Sequence, residues 1–204
     1  MSDESGLNNK NLYSKFGFQL LALRKIILDG LSYYIVWQAL NEVYEKPFSL
    51  KDKGVWWRYR GFLAPTRNAL LWSTLLQFSK VFDTHPKTVS LYNLLAILDN
   101  NQEVLAPFAP KESLLVIDAE VLTIGELSRK LTRFRNKRVA HFESDSIENL
   151  ELPPDELNTL VEGAKSIFNL MKYAHLGEYD DFADIMEKIG PHTTQVLEKI
   201  SNPD

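Results

Sequence analysis

Apolar residues in this chain recur at steps of three and four, and few stretches alternate at steps of two. That period constrains the fold most, because side chains three and four apart share one face of a helix, whereas a half-buried strand repeats every second residue. Phe16, Leu20, Leu23, Ile27, Leu31 and Tyr34 make one such face, on a first helix that should stop before Pro47. Leu70, Leu71, Leu75, Phe78 and Phe82 make a second, within the segment Trp56 to Phe82. Gly61 and Pro65 predict a kink in that segment or a helix start near Pro65, since proline is tolerated best in a first turn. Asp83-Thr84-His85-Pro86 is a break, a shorter helix fits Val89 to Leu98, and Asn100 to Lys111 is a connection punctuated by Pro107 and Pro110. Ile124, Leu127, Leu131 and Phe134 mark a helix over about 121–141, followed by an acidic loop with Glu143, Asp145, Glu148 and Glu151. Pro153-Pro154-Asp155 opens the next helix, with the stripe Leu157, Leu160, Val161, Ala164, Phe168 and Met171, ending near Gly177. A last amphipathic helix is expected to bend at Gly190-Pro191. The chain therefore reads as an all-α bundle of about five to six helices. Residues 1–12 read as a flexible tail, and 13–204 as a single helical-bundle domain.

The 204 residues suffice for one domain with a real core, and 45% apolar with 25% charged residues is usual for a soluble protein. The absence of cysteine excludes disulfides, thiolate metal sites and Cys nucleophiles within these residues. Met1 to Lys10 has no apolar core for a signal peptide, and Gly30 to Leu40 is too short to span a bilayer. A cytoplasmic location is the expectation. No two histidines share ligand spacing and no His-Glu-x-x-His motif or carboxylate cluster occurs, so no metal and no cofactor are expected. Without a Gly-rich phosphate loop or a Gly-x-Ser-x-Gly elbow, nucleotide hydrolysis and acyl transfer are disfavoured. His85, His175 and His192 read as structural, His175 as a cation suited to its helix C-terminus.

Positive charge is concentrated in one place. Arg129 to Arg138 holds six basic groups and no acid, which leaves 17 cations against 27 anions elsewhere. The apolar stripe beneath it passes from Ile124, Leu127, Leu131 and Phe134 to Arg138 and His141. Charged groups do not stay on a buried face without compensation, so this end of the helix must meet an acid, a wet cleft or a ligand. A basic cluster on an acidic chain points to an anionic partner, and a nearby imidazole points to proton transfer on it. Against this stands a plain solvated basic face near a helix C-terminus, where cations are favoured anyway.

Arg135-Asn136-Lys137-Arg138-Val139-Ala140-His141 is an Arg, a polar residue, several more residues and a His. That pattern resembles the motif of the HEPN superfamily of helical-bundle proteins. Upstream, Trp57-Arg58-Tyr59-Arg60-Gly61-Phe62, Arg67-Asn68-Ala69-Leu70-Leu71-Trp72, Phe78-Ser79-Lys80-Val81-Phe82-Asp83 and Ser90-Leu91-Tyr92-Asn93-Leu94-Leu95 are similar to the abortive-infection AbiU-type branch of it. The resemblance spans roughly Trp56 to His141 and implies metal-independent endoribonuclease activity, in phage defence or a toxin–antitoxin system. It implies Arg135 and His141 as the catalytic pair, with Asn136 beside them; Arg138, three residues from His141 and on its face of a helix, is a second candidate for the phosphate. It makes Arg129, Lys130, Arg133 and Lys137 RNA-binding cations, and admits an antitoxin protein as partner. Some such toxins carry a Tyr two residues after the motif His; here that position is Glu143, which departs from control through that Tyr.

At about 100° per residue, Arg135 and His141 stand about 240° apart on an unbroken helix, whereas Arg138 and His141 share a face. Either the helix breaks inside the motif, or two motif helices meet in a homodimer, as the resemblance also implies. Arg58, Arg60 and Arg67 extend an RNA surface or serve as ion-pair partners, and Trp56, Trp57 and Trp72 stack on bases or, more commonly for such spacing, pack in a core or dimer interface. The alternative to an enzyme is a catalytically silent helical module that binds RNA or a partner protein through the same basic face. A DNA-binding regulator fits poorly, with net charge −4 and no helix-turn-helix signature.

Overall fold

In a computed structural model, residues 2–45, 55–109, 111–136 and 152–201 are described, and every regular element among them is a helix. In chain order these are α1 (Ser2–Glu45), α2 (Val55–Val81), α3 (Leu91–Asn100), α4 (Gln102–Leu105), α5 (Lys111–Arg135), α6 (Pro154–Leu176) and α7 (Ala183–Ser201). The seven helices among the described residues exceed the expected five to six because the four-residue α4 forms inside the connection read as loop. No described helix is long and apolar enough to cross a membrane.

The stripes of α1 and α6 fall where the period places them, whereas Leu70 and Leu71 of α2 and Leu127 of α5 are only half-buried. Phe16, Leu20, Leu23, Ile27, Leu31 and Tyr34 of α1 are all buried, as are Leu157, Leu160, Val161, Ala164, Phe168 and Met171 of α6. Residues 2–12, expected as a tail, are helical and belong to α1. In α2 the non-helical residue is Tyr59 (φ −115°, ψ 18°), six residues before Pro65, where the break was expected. Pro65 lies inside the helix that resumes after Tyr59, past its first turn, so its missing N–H removes the backbone bond to the Gly61 carbonyl. α5 begins ten residues earlier than expected, because buried Ile117 continues the stripe of Ile124 one heptad back. The run Leu114-Leu115-Val116-Ile117 hid that period in the sequence. α7 passes through Gly190-Pro191 as one helix, where a bend was expected.

Caps explain several boundaries. Ser90 is extended, and its side chain accepts from the Asn93 N–H to start α3. The Asn93 amide donates to the carbonyls of His85 (2.7 Å) and Thr88 (2.8 Å), closing the Asp83–Pro86 break into a hydrogen-bonded turn. α6 starts at Pro154 and stops at Gly177, whose φ of 71° is left-handed. A Cβ there would also stand 3.0 Å from the Phe108 ring.

The described helices fall into two compact units. Unit 1 takes Met1–Ile27 and Gln77–Asp180, so it holds the front of α1, the end of α2, and α3 to α6. Here α5 packs on α6 at Gly163, where Ile124 fills the space a side chain would need. Arg24 of α1 meets the buried Asp180 through two hydrogen bonds (2.5 and 2.9 Å), and Lys172 adds a third at 3.3 Å. Burial pushes the Asp180 carboxyl up, but these two cations outweigh it and hold it below the ordinary range. Unit 2 takes Leu28–Leu76 and Asp181–Asp204, and Leu40, Leu63 and Leu197 form a buried cluster within it.

Candidate functional site

The last two turns of α5 carry the basic residues, and the buried stripe beneath fixes their directions. Leu131 is fully buried and Phe134 nearly so, which leaves Arg129 and Arg133, four apart, on the solvent face. Arg129 Nε donates to the Gly125 carbonyl at 3.1 Å. Lys130 leans the other way and forms an ion pair with Glu156 at the start of α6. Of the four residues expected to bind RNA, Arg129 and Arg133 are thus the exposed ones, Lys130 is held by an acid, and Lys137 lies outside the described residues.

Arg135 is half-buried and tied down from two sides. Its Nη1 lies 3.6 Å from Asp83 Oδ2, and its Nε and Nη2 donate to Asn136 Oδ1 at 3.1 and 3.0 Å. Asp83 is itself fixed, since its Oδ1 accepts the His85 N–H at 2.9 Å within the turn after α2. A guanidinium offers five N–H groups in a rigid fork, so these bonds set its direction and leave donors for an oxyanion. Arg138 and His141 lie outside the described residues, and so does the stretch in which a helix break was considered.

In the sequence Asp83 stands only as the first residue of a break, with nothing to mark it as a partner of Arg135. The available signal was an acid directly after Phe82, where an apolar stripe ends in a break. Glu156 was missed because its partner lies across a helix interface. Arg60 and Arg67, weighed as an extended RNA surface, are engaged within unit 2. The Arg60 guanidinium sits 4.7 Å over the Trp57 ring, and Arg67 donates to Asn41. Among the described residues, no three His, Asp or Glu side chains are grouped to hold a metal ion.

His175 departs from the sequence reading in its chemistry. It is a fully buried ring, not a solvated cation, with Tyr13 at 3.9 Å and Phe16 at 4.9 Å between centroids. Nδ1–H donates to the Leu105 carbonyl at 2.9 Å, and Nε2 has no hydrogen-bond partner. Burial lowers its pKa, against the Leu105 bond, which favours the protonated ring.

A family model described as AbiU2, of HEPN type, matches residues 13–189, which takes in at least part of each of the seven helices. The match is wider than the motif-bearing stretch of the sequence, since it includes most of α1 and all of α6. No curated protein and no solved structure matches the chain.

Proposed function

The chain belongs to the AbiU2 family of HEPN proteins, and from that premise we propose that it cuts RNA without a metal ion, in phage defence or as a toxin. The observation that carries this reading is Arg135, held by Asp83 and Asn136 six residues before His141 in a chain matched over 13–189. In the proposed reaction the ribose 2′-oxygen attacks the adjacent phosphorus and the P–O5′ bond breaks. The products are a 2′,3′-cyclic phosphate and a 5′-hydroxyl. His141 exchanges a proton with the attacking or leaving oxygen, as an imidazole near neutral pH can. Arg135 or Arg138 offsets the charge that builds on the phosphate oxygens. Arg129 and Arg133 supply exposed cations for the strand. A homodimer that brings two motifs together completes the site, and an antitoxin would act by covering it.

The test is purified protein with single-stranded RNA in EDTA. Wild type should give cyclic phosphate ends. His141→Ala should lose about 10²–10⁴ in rate, and Arg135→Ala or Arg138→Ala about 10²–10³. RNA binding should survive His141→Ala. Binding without cleavage of any RNA in a broad panel would instead favour the silent module, and undiminished cleavage by His141→Ala would refute the site assignment.

A further inference from the structure

Beside α5 lies a groove of about 490 Å³, bordered by the turn after α2 and the first turn of α3. Its floor carries Phe82 and the half-buried Tyr92, whose ring centroids are 6.3 Å apart. The Tyr92 ring is fixed by a relay. Ser128 Oγ donates to the Gly125 carbonyl at 3.1 Å, so the 2.6 Å contact between Tyr92 and Ser128 is the phenol donating to the serine. Arg129 and Arg133 stand among the lining residues, and among the described residues no acid does. The neighbouring groove shares both arginines but also presents Glu126 and Glu156. An anion drawn to this pair of guanidiniums is therefore better placed on the Tyr92 side.

A flat apolar group over an aromatic floor, with an anion at a cationic rim, describes a nucleotide. The volume is in the range of small-ligand sites, roughly 300–1,000 Å³. Thr84 also lines the groove, directly after the Asp83 that holds Arg135. We propose that this groove is a nucleotide subsite for single-stranded RNA. The base lies against Tyr92, and its phosphate bridges Arg129 and Arg133. The strand then continues toward Arg135. Paired bases are stacked and cannot enter, so the substrate is unpaired at this position. The subsite rests on the RNA-cutting reading, but is tested on a strand that cannot be cut.

A fluorescent 2′-O-methyl oligouridine lacks the nucleophilic hydroxyl, so anisotropy reads binding alone. Space around a Cβ at Gly125 is open, so Gly125→Leu starts a side chain into the groove with no contact at its Cβ. It also replaces a glycine inside a helix, so its Tm should hold or rise. Its affinity for the oligomer should fall about tenfold, on the scale of one lost base–aromatic stack. Tyr92→Leu should weaken binding similarly, while Tyr92→Phe, which keeps the ring, should not. Inorganic polyphosphate should displace the oligomer poorly from wild type. Wild-type affinity in both Gly125→Leu and Tyr92→Leu, in a protein that still cuts RNA, would overturn the subsite alone. So would polyphosphate competing as well as RNA, which would leave only an anion-binding ridge. A wild type that neither binds the oligomer nor cuts RNA would sink both readings.

Discussion

Asp83 shows how much of a residue's role lies outside its own segment. The sequence presents Arg135 as one cation among six, and its motif position singles it out. What points it in one direction is a carboxylate 52 residues earlier, itself held by the His85 N–H. Such a pair leaves no mark in the helical period. His175 teaches the same lesson with a measurable consequence. A basic residue in a last helical turn reads as a cation, but the ring is sealed among Tyr13, Phe16 and the Leu105 carbonyl. With its folded pKa lowered, the unfolded chain binds a proton below about pH 6.5 that the folded chain refuses. Stability linked to this group is therefore complete above about pH 6.5 and falls as pH drops below it, by at most about 1.4 kcal/mol per pH unit. Urea unfolding from pH 8 to 5.5 should show this loss in wild type. His175→Phe should be less stable at pH 8, having lost the Leu105 bond, yet flatter across that range. Equal slopes would mean that the ring is protonated when folded.

At the scale of elements, the period of three and four placed the buried faces of α1 and α6 fully and those of α2 and α5 in part, since Leu70, Leu71 and Leu127 are half-buried. The stripes of α1 and α6 are buried as read, and that of α5 runs one heptad further back to Ile117. Breaks were harder, because a helix can carry an interior proline at the loss of one backbone hydrogen bond. Pro65 and Pro191 both sit inside helices, and the irregular residue of α2 is Tyr59. How closely two helices approach was not readable at all. Gly163 is the case in point, since an added Cβ would meet Ile124 Cγ2 at 2.6 Å. That methyl is fixed to a β-branched carbon and cannot swing aside cheaply. Alanine in place of a helical glycine ordinarily stabilises by roughly 0.5–1 kcal/mol, while overpacking typically costs about 1–3 kcal/mol. Gly163→Ala should therefore lower stability by about 1 kcal/mol or more, read as a shift of the urea midpoint at unchanged m-value. A rise in the midpoint would mean that α5 and α6 can separate freely.

At the scale of the whole molecule, stripes tell which residues are buried but not against what. The division into two units was therefore invisible: Ile27 and Leu31 lie on one continuous face of α1 and belong to different units. The same limit applies to assembly. Leu115 and Leu122 stand one heptad apart on α5 and are 66% and 80% exposed, with Val116 at 52%. Apolar side chains at that spacing form one face of the motif helix, and a second copy offers a matching face under two-fold symmetry. A dimer at micromolar concentration is the expected outcome of sedimentation analysis. Leu122 also lines the groove proposed to take RNA, so Leu115 is the cleaner target. Leu115→Glu should shift the protein to monomer with little change in stability, since the side chain is exposed. If the cutting site needs two motifs, that monomer should still bind the 2′-O-methyl oligomer while its cleavage falls with the dimer fraction. Full cleavage by a monomer would place the complete site within one chain, and would require Arg135 or Arg138 to reach the phosphate beside the His141 of the same chain.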